Sequence, residues 1–265
     1  MAAMDESGKG RIGVGLRGGR AAAHPVRPTS PVIHLPTWTR LHVAARQWAP
    51  AGNGGDFFEI IQHRDGNVSA IMADVSGNGP TAAGPVSSLR WILRQAMGRG
   101  ESPGTVLGTL NEWLVDQQTQ QTDDRFVTAV CLRLNPISGA AVIASAGHLG
   151  PFVKRARGGA QDLPPSVGLA LGILPGQVYR EVSVELAPED ALVLVTDGIT
   201  DRLATPNDPL GQRGLLDRLA RARLAPEHIC GALLGPGARA AEDATIVVMQ
   251  MPRRHRRATP IARAG

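Results

Sequence analysis

Short apolar runs separated by glycine- and proline-rich turns begin near residue 41 and continue for most of the chain. The first three runs, at 41–49, 56–64 and 67–76, are rich in the β-branched and aromatic residues that favour strands. Asp65 and Gly66 form a tight-turn dipeptide between the second and third runs. The pattern therefore predicts a strand followed by a β-hairpin.

A different spacing follows the hairpin, because apolar residues then recur every three or four positions. Pro80 suits the first turn of one helix, and Ser102 followed by Pro103 is a cap and first-turn signal for another. We expect an antiparallel helix pair over 80–119.

The rest of the chain is mostly strand-like, with two amphipathic helices near 209–235. Strands come in runs and helices in pairs, which favours an α+β sandwich over alternating βαβ units. The further predicted strands lie at 126–135, 140–147, 150–156, 178–187, 190–197 and 245–251.

Composition is consistent with one globular domain, since 265 residues with 43% hydrophobic content can bury a sizeable core. Cys131 lies in a predicted strand and Cys230 in a predicted helix, and neither has partners at disulfide or zinc-site spacing. We expect buried thiols. The sequence has no apolar run of membrane-span length and no secretory signal, so we predict a cytoplasmic protein without a membrane span.

The net charge of +5 arises at the two ends of the chain. Residues 1–36 and 253–265 are predicted to be disordered basic tails, which flank a mildly acidic domain at 37–252. The tails lack the interleaved aromatic residues that stack on bases. We therefore expect no specific binding of nucleic acid.

Four acidic motifs lie at predicted strand ends: GGDFFEI, MADVSGNG, LVTDGITD and AEDATIVV. Pairing across the hairpin brings Asp56 and Asp74 to the same edge of a sheet. Carboxylates gathered at buried strand ends repel one another and need a hard cation such as Mg²⁺ or Mn²⁺. The pattern predicts a metal-dependent hydrolase.

Serine catalysis and nucleotide binding are not indicated by these motifs. Asp74 stands where a nucleophile elbow needs glycine, so we expect Ser76 to bond the local backbone. The sequence also has no phosphate-binding loop with the GxxxxGK[ST] pattern.

Six motifs carry a resemblance to a known family: GGDFFEI, DVSGNGPTAA, FVTAVCLRLNP, SAGHLGPFV, TDGITD and EDATIVV, in that order. Over about residues 40–250 the chain resembles the metal-dependent protein phosphatase (PPM) family, and it looks most like the bacterial SpoIIE-like serine/threonine phosphatase branch. Each motif alone is weak, but their shared order is specific.

The resemblance implies a four-layer α/β/β/α sandwich with two Mn²⁺ or Mg²⁺ ions at one end, whose bridging water is the nucleophile. By the family pattern Asp74 bridges both metals and the backbone carbonyl of Val75 helps to hold one of them. The same pattern implies that Asp56 acts through that metal's water shell and that Asp197 binds the other ion.

The last motif departs from the family pattern. Glu242 occupies the place of the usual first aspartate, and Asp243 follows it. Either acid is a candidate for the fourth metal position. The substitution also keeps open an alternative function, a catalytically weak or silent module that binds a phosphoprotein or regulator.

The leading hypothesis is hydrolysis of phosphoserine or phosphothreonine on a regulatory protein, such as an anti-anti-sigma factor as the resemblance implies. We expect a regulatory partner to act on the helix pair at 80–119, because DVSGNG leads directly into it. His148 is interpreted as a loop histidine that fixes backbone geometry, with a role near the phosphate as the alternative.

Overall fold

Two antiparallel five-stranded sheets form the centre of the computed structural model, which describes residues 41–48, 55–76, 80–121, 125–163, 168–234 and 243–253. One sheet has the order β1-β10-β9-β6-β7 and the other the order β2-β3-β4-β5-β8. The strands are β1 His42–Trp48, β2 Asp56–Gln62, β3 Val68–Val75, β4 Val127–Leu134, β5 Ala140–Ala146, β6 Phe152–Lys154, β7 Ala160–Asp162, β8 Val182–Glu185, β9 Ala191–Val195 and β10 Ala244–Gln250. The helices are α1 Pro80–Gly98, α2 Pro103–Gln121, α3 Asp197–Thr200, α4 Gln212–Arg221 and α5 Pro226–Leu234.

Three apolar clusters hold the layers together. The central cluster lies between the sheets, where Met72 and Leu132 of one sheet pack with Leu194 and Val247 of the other. A second cluster packs α1 and α2 on the β2–β8 sheet, and a third packs α4 and α5 on the opposite sheet. The result is the predicted four-layer α/β/β/α sandwich, so the fold class is confirmed.

The hairpin register fixes which residues meet at the end of the sandwich. Gly66 turns the chain with a φ of 83°, a left-handed conformation that favours glycine. From this turn β2 and β3 pair antiparallel until Asp56 faces Asp74, as predicted. Asp74 in turn faces Thr128 on β4. The row Asp56, Asp74 and Thr128 therefore crosses three strands at the end opposite the turn.

The helix pair and the two later helices are where the periodicity predicted them. Two short elements were not predicted: β7, and a helical turn at α3 that continues as a 3₁₀ turn over Asp201–Leu203. The TDG motif thus starts a helix directly after β9. Four-residue helices lack enough length to show a periodic pattern, which is why the sequence indicated only a turn.

Both thiols are buried and unpaired, as expected for Cys131 and Cys230. None of the helices in the described ranges is both long and apolar enough to cross a bilayer. The predicted tails lie outside the described residues except for Arg253, whose guanidinium pairs with Glu189 at 2.6 Å.

Candidate metal centre

Acidic residues from both sheets lie around one end of the sandwich. Asp56 and Asp74 come from the hairpin. Asp197 follows the end of β9, and Asp243 directly precedes β10 in the opposite sheet. Since β9 and β10 are neighbours in that sheet, the two motifs lie side by side. The carboxylates of Asp197 and Asp243 both act electrostatically on Asp56 and on Asp74.

Asp56 is nearly enclosed, with 5% of its surface exposed. Its Oδ2 accepts hydrogen bonds from the hydroxyl of Thr196 at 2.7 Å and the hydroxyl of Thr245 at 2.8 Å. Burial raises the pKa of Asp56 to about 6 despite these two bonds, and the negative charges of Asp243 and Asp197 add to the rise. The site thus holds a carboxylate at a place that disfavours its charge.

The pKa of Asp74 is raised further than that of Asp56. Burial raises the pKa of its carboxyl to about 7, followed by repulsion from Asp56, Asp197 and Asp243. Without a cation, the ionisation of all four carboxylates at this edge is unfavourable in free energy. Their arrangement fits a centre that becomes stable when divalent cations neutralise it.

Gly55 lies tightly packed against two oxygen atoms. A Cβ atom at this position would lie 2.5 Å from the carbonyl oxygen of Val75 and 3.0 Å from Oδ1 of Asp74. Carbonyl and carboxylate oxygens are the ligands that Mg²⁺ and Mn²⁺ prefer. The GGD motif therefore needs glycine here, and the oxygen donors beside it suit a hard cation.

Asp243 joins the last motif to the first and third. Its Oδ2 accepts a hydrogen bond from the backbone N–H of Gly55 at 2.9 Å. Its backbone carbonyl lies so close to Gly198 that a side chain there would collide with it. Burial raises the pKa of Asp243, and the bond from Gly55 opposes that rise. Glu242 lies outside the described residues.

The acidic side chains of the described residues do not by themselves form a complete set of metal ligands. Within the ranges that the structure describes, no three side chains of His, Cys, Asp or Glu stand in a ligand-like group. The fit to a metal rests instead on the hard oxygen donors beside Gly55 and on unbalanced negative charge. Waters and backbone carbonyls complete the shell of hard cations in many such sites.

A cleft of about 320 Å³ opens beside the acids. Ser76 and Phe126 form one side of it, and they are fixed by two reciprocal bonds: the Ser76 N–H donates to the Phe126 carbonyl, and the Phe126 N–H donates to Ser76 Oγ, both at 2.9 Å. Ser76 thus bonds the local backbone, as expected. The lining residues are Asp74, Ser76, Phe126, Thr128, Gly147, His148, Leu149 and Asp197.

His148 lines the same cleft and is more buried than a loop histidine would be, with 8% exposure. Its carbonyl accepts a bond from the Ser145 hydroxyl at 3.0 Å, which agrees with a role in backbone geometry. The contacts of its ring were not predicted: Nδ1 lies 3.0 Å from the Thr128 hydroxyl, and the ring also interacts with the backbone of Val195. Burial lowers the pKa of His148 to about 4, so the ring is neutral at pH 7.

Thr196, Thr245 and Thr128 are the site residues that sequence reasoning missed. The first two flank acids within the TDG and EDAT motifs, and the third faces Asp74 across the sheet. The sequence feature that could have identified these threonines is their position beside the acids. Periodicity alone does not reveal it, because a threonine at a strand end is also an ordinary sheet residue.

Two stacked antiparallel sheets, helices on both outer faces and a group of acids at one shared edge define the fold class of the metal-dependent protein phosphatases. The chain belongs to the Stage II sporulation protein E (SpoIIE) family, whose model matches residues 64–252.

Among curated proteins, the chain is 28% identical to phosphoserine phosphatase RsbU of Bacillus subtilis (strain 168) over 176 residues. That match covers 66% of this chain and 49% of the relative, so the chain spans about half the length of RsbU.

Solved structures share the fold. The RsbU and RsbW domains of Rv1364c from Mycobacterium tuberculosis match with a TM-score of 0.68 and 24% identity, over 80% of this chain and 60% of that one. The catalytic domain of the serine/threonine phosphatase PstP, solved with two manganese ions, matches with a TM-score of 0.55 and 16% identity, over 80% and 98%.

Proposed function

We propose that this chain is a metal-dependent serine/threonine protein phosphatase that hydrolyses phosphoserine or phosphothreonine on a regulatory protein. The observation that carries the proposal is the convergence of Asp56, Asp74, Asp197 and Asp243 from two sheets beside one cleft. Membership of the SpoIIE family and similarity to a phosphoserine phosphatase support the same reaction.

In this proposal Asp74 and Asp197 hold two Mn²⁺ or Mg²⁺ ions with the carbonyl of Val75, and Asp56 orders the surrounding water. Two divalent ions of this kind would activate a water molecule and neutralise the phosphoryl oxygens. Asp74 and Asp197 line the cleft together with Phe126 and Leu149, so ions held by these acids would face a substrate in the cleft.

The substrate is proposed to be a phosphorylated anti-anti-sigma factor. RsbU carries the name phosphoserine phosphatase, which supports phosphoserine as the group that is hydrolysed. The proposed phosphatase domain spans 37–252, with the two basic segments outside it.

The direct test is hydrolysis of para-nitrophenyl phosphate and of a phosphoserine peptide by the purified chain. We expect hydrolysis that depends on Mn²⁺ or Mg²⁺ and stops on chelation, because the acids at the cleft would activate water through the metal ions that they hold. Phosphate release is measured with and without metal. Hydrolysis that persists after complete chelation would reject the metal-dependent mechanism.

The second candidate function is a phosphatase-fold module that binds a phosphoprotein or regulator with little or no hydrolysis. Glu242 is the observation that favours it, because the family pattern has aspartate there. Metal and phosphopeptide binding by calorimetry, without turnover in the phosphate assay, would select this function over the first.

The fourth metal position is proposed to be Glu242. One oxygen of Asp243 already accepts the Gly55 N–H, and by the family pattern the first acid of the pair binds the metal.

We expect Glu242→Gln to weaken Mn²⁺ binding by about tenfold or more, the scale of a lost charge partner. Asp243→Asn keeps an oxygen acceptor for Gly55 and should weaken it less. Calorimetric Mn²⁺ titration of both variants decides, and the reverse order would assign the position to Asp243.

A regulatory protein is proposed to act on α1 and α2. Trp91 on α1 is 65% exposed, which is unusual for tryptophan away from an interface. Glu59, three residues after Asp56, accepts three hydrogen bonds from Arg94 of α1. Displacement of α1 would therefore reach the metal edge through β2. Trp91→Ala is the cleaner test than Leu110→Glu, because Leu110 is buried in the core. Partner binding that Trp91→Ala leaves unchanged would count against this surface.

A further inference from the structure

We propose that Thr196 and Thr245 are positioning residues that fix the carboxylate of Asp56 for cation binding, a role that rests on the proposed function. Their hydroxyls form a hydroxyl clamp, which we define as the contacts of Thr196 and Thr245 with Oδ2 of Asp56. The clamp reaches across the two sheets, since Asp56 starts β2 of one sheet while Thr196 and Thr245 belong to the end of β9 and to β10 of the other.

The direction of each hydrogen bond follows from the donors available. The N–H of Thr245 donates to Oγ1 of Thr196 at 2.8 Å. An ionised carboxylate only accepts, and each hydroxyl has a single proton. Thr196 and Thr245 must therefore both donate to Oδ2 of Asp56, at 2.7 and 2.8 Å.

All three residues are enclosed, which makes the clamp rigid. Thr196 and Thr245 have no exposed surface, and Asp56 has 5%. Both described hydroxyl donors reach the same oxygen, so Oδ2 is occupied and Oδ1 is the oxygen left to order the water shell of a cation. Bonds to the non-coordinating side of a ligand orient it and maintain its charged form.

The clamp also predicts that loss of the Thr196 hydroxyl has a larger effect than loss of the Thr245 hydroxyl. Thr196 accepts one bond and donates another, whereas the hydroxyl of Thr245 only donates. Loss of the Thr196 hydroxyl removes a bond to Asp56 and leaves the buried N–H of Thr245 without its acceptor. Loss of the Thr245 hydroxyl removes one bond and leaves the link between the threonines intact.

The test uses valine, which keeps the branched shape without a hydroxyl, and serine, which keeps the hydroxyl. We expect Thr196→Val to weaken Mn²⁺ binding about 10- to 100-fold, Thr245→Val by less, and Thr196→Ser to restore affinity to within about threefold of the original chain. Calorimetry gives the affinity, and circular dichroism confirms folding. Thr119→Val is the matched control, because its hydroxyl donates only within α2, to the Val115 carbonyl.

Several outcomes would overturn the clamp. Unchanged Mn²⁺ affinity in folded Thr196→Val and Thr245→Val would do so, as would a serine variant as weak as the valine variant. Should Thr196→Val fail to fold, Thr245→Val and Thr196→Ser decide by the same affinity readout. An original chain that binds no Mn²⁺ would reject the proposed function together with the clamp. Mn²⁺ binding that depends on the hydroxyls, without phosphatase turnover, would support the clamp and reject the enzyme.

Discussion

Asp74→Asn is expected to abolish metal-dependent phosphate hydrolysis while making the metal-free protein more stable. Asp74 lies beside Gly55 and lines the cleft, so its loss removes charge at the centre of the proposed reaction. A metal centre contributes several kcal/mol to such a reaction, and each 1.36 kcal/mol is a factor of ten, so we expect a loss of about 10³-fold.

The gain in stability has an electrostatic cause. The carboxyl of Asp74 is disfavoured as an anion by burial and by three neighbouring acids, which raise its pKa to about 7. Asparagine has nearly the same shape and no charge to desolvate. Activity comes from phosphate release with Mn²⁺ present, and stability from thermal unfolding in a chelator.

Asp217→Asn is the matched control, because Asp217 is exposed on α4 and the same charge is removed away from the cleft. We expect it to change neither activity nor stability measurably. An Asp74→Asn variant that keeps more than about a tenth of the activity would contradict the assignment of Asp74 to the metal centre.

The hairpin part of the site could be predicted from sequence because local rules determine it. A turn at Asp65 and Gly66 sets the pairing of β2 with β3, and the two-residue period of strands then fixes which side chains share a face. Asp56 must face Asp74 under these rules, and it does. Motif order was enough to add Asp197, whose strand lies in the other sheet.

The remaining contacts depend on how the two sheets pack, which no local pattern contains. Thr196 and Thr245 meet Asp56 across 140 and 189 residues of chain. Asp243 meets Gly55 across 188 residues. A one-residue change of position would redirect any of these side chains, and a single sequence gives no measure of sheet packing at that precision.

The contribution of Asp56 and Asp74 to the stability of the metal-free protein is expected to fall as the pH rises from about 4 to about 8. Burial of the neutral His148 ring, which lowers the pKa of this residue from 6.5 to about 4, works in the opposite direction between those two values. The folded protein holds the pKa of Asp56 at about 6 and that of Asp74 at about 7, above the ordinary value of 3.8. Between these values the folded chain keeps protons that the unfolded chain has released. Rising pH therefore favours unfolding, and the loss is complete above the folded pKa values.

The size of this effect follows from the shifts, since one pKa unit corresponds to 1.36 kcal/mol. With two coupled groups that remain partly hydrated, we expect a loss on the order of 3 kcal/mol in their contribution to the free energy of unfolding. Urea titrations at several pH values in a chelator, compared between the original chain and Asp74→Asn, measure the share of Asp74, because His148 affects both chains alike. In Asp74→Asn the loss should shrink, because only the Asp56 shift remains and one repelling charge is gone.

Saturating Mn²⁺ is expected to add a stabilisation that grows as the pH rises. A cation binds the deprotonated carboxylates, so metal binding strengthens as the pH rises and adds to the stability of the folded state. The same urea titrations with and without Mn²⁺ should show a larger gain in stability from the metal near pH 8 than near pH 5. A slope that Mn²⁺ leaves unchanged would mean that the acids responsible for the pH dependence do not bind the metal, and that Asp56 and Asp74 are buried charges without a cation partner.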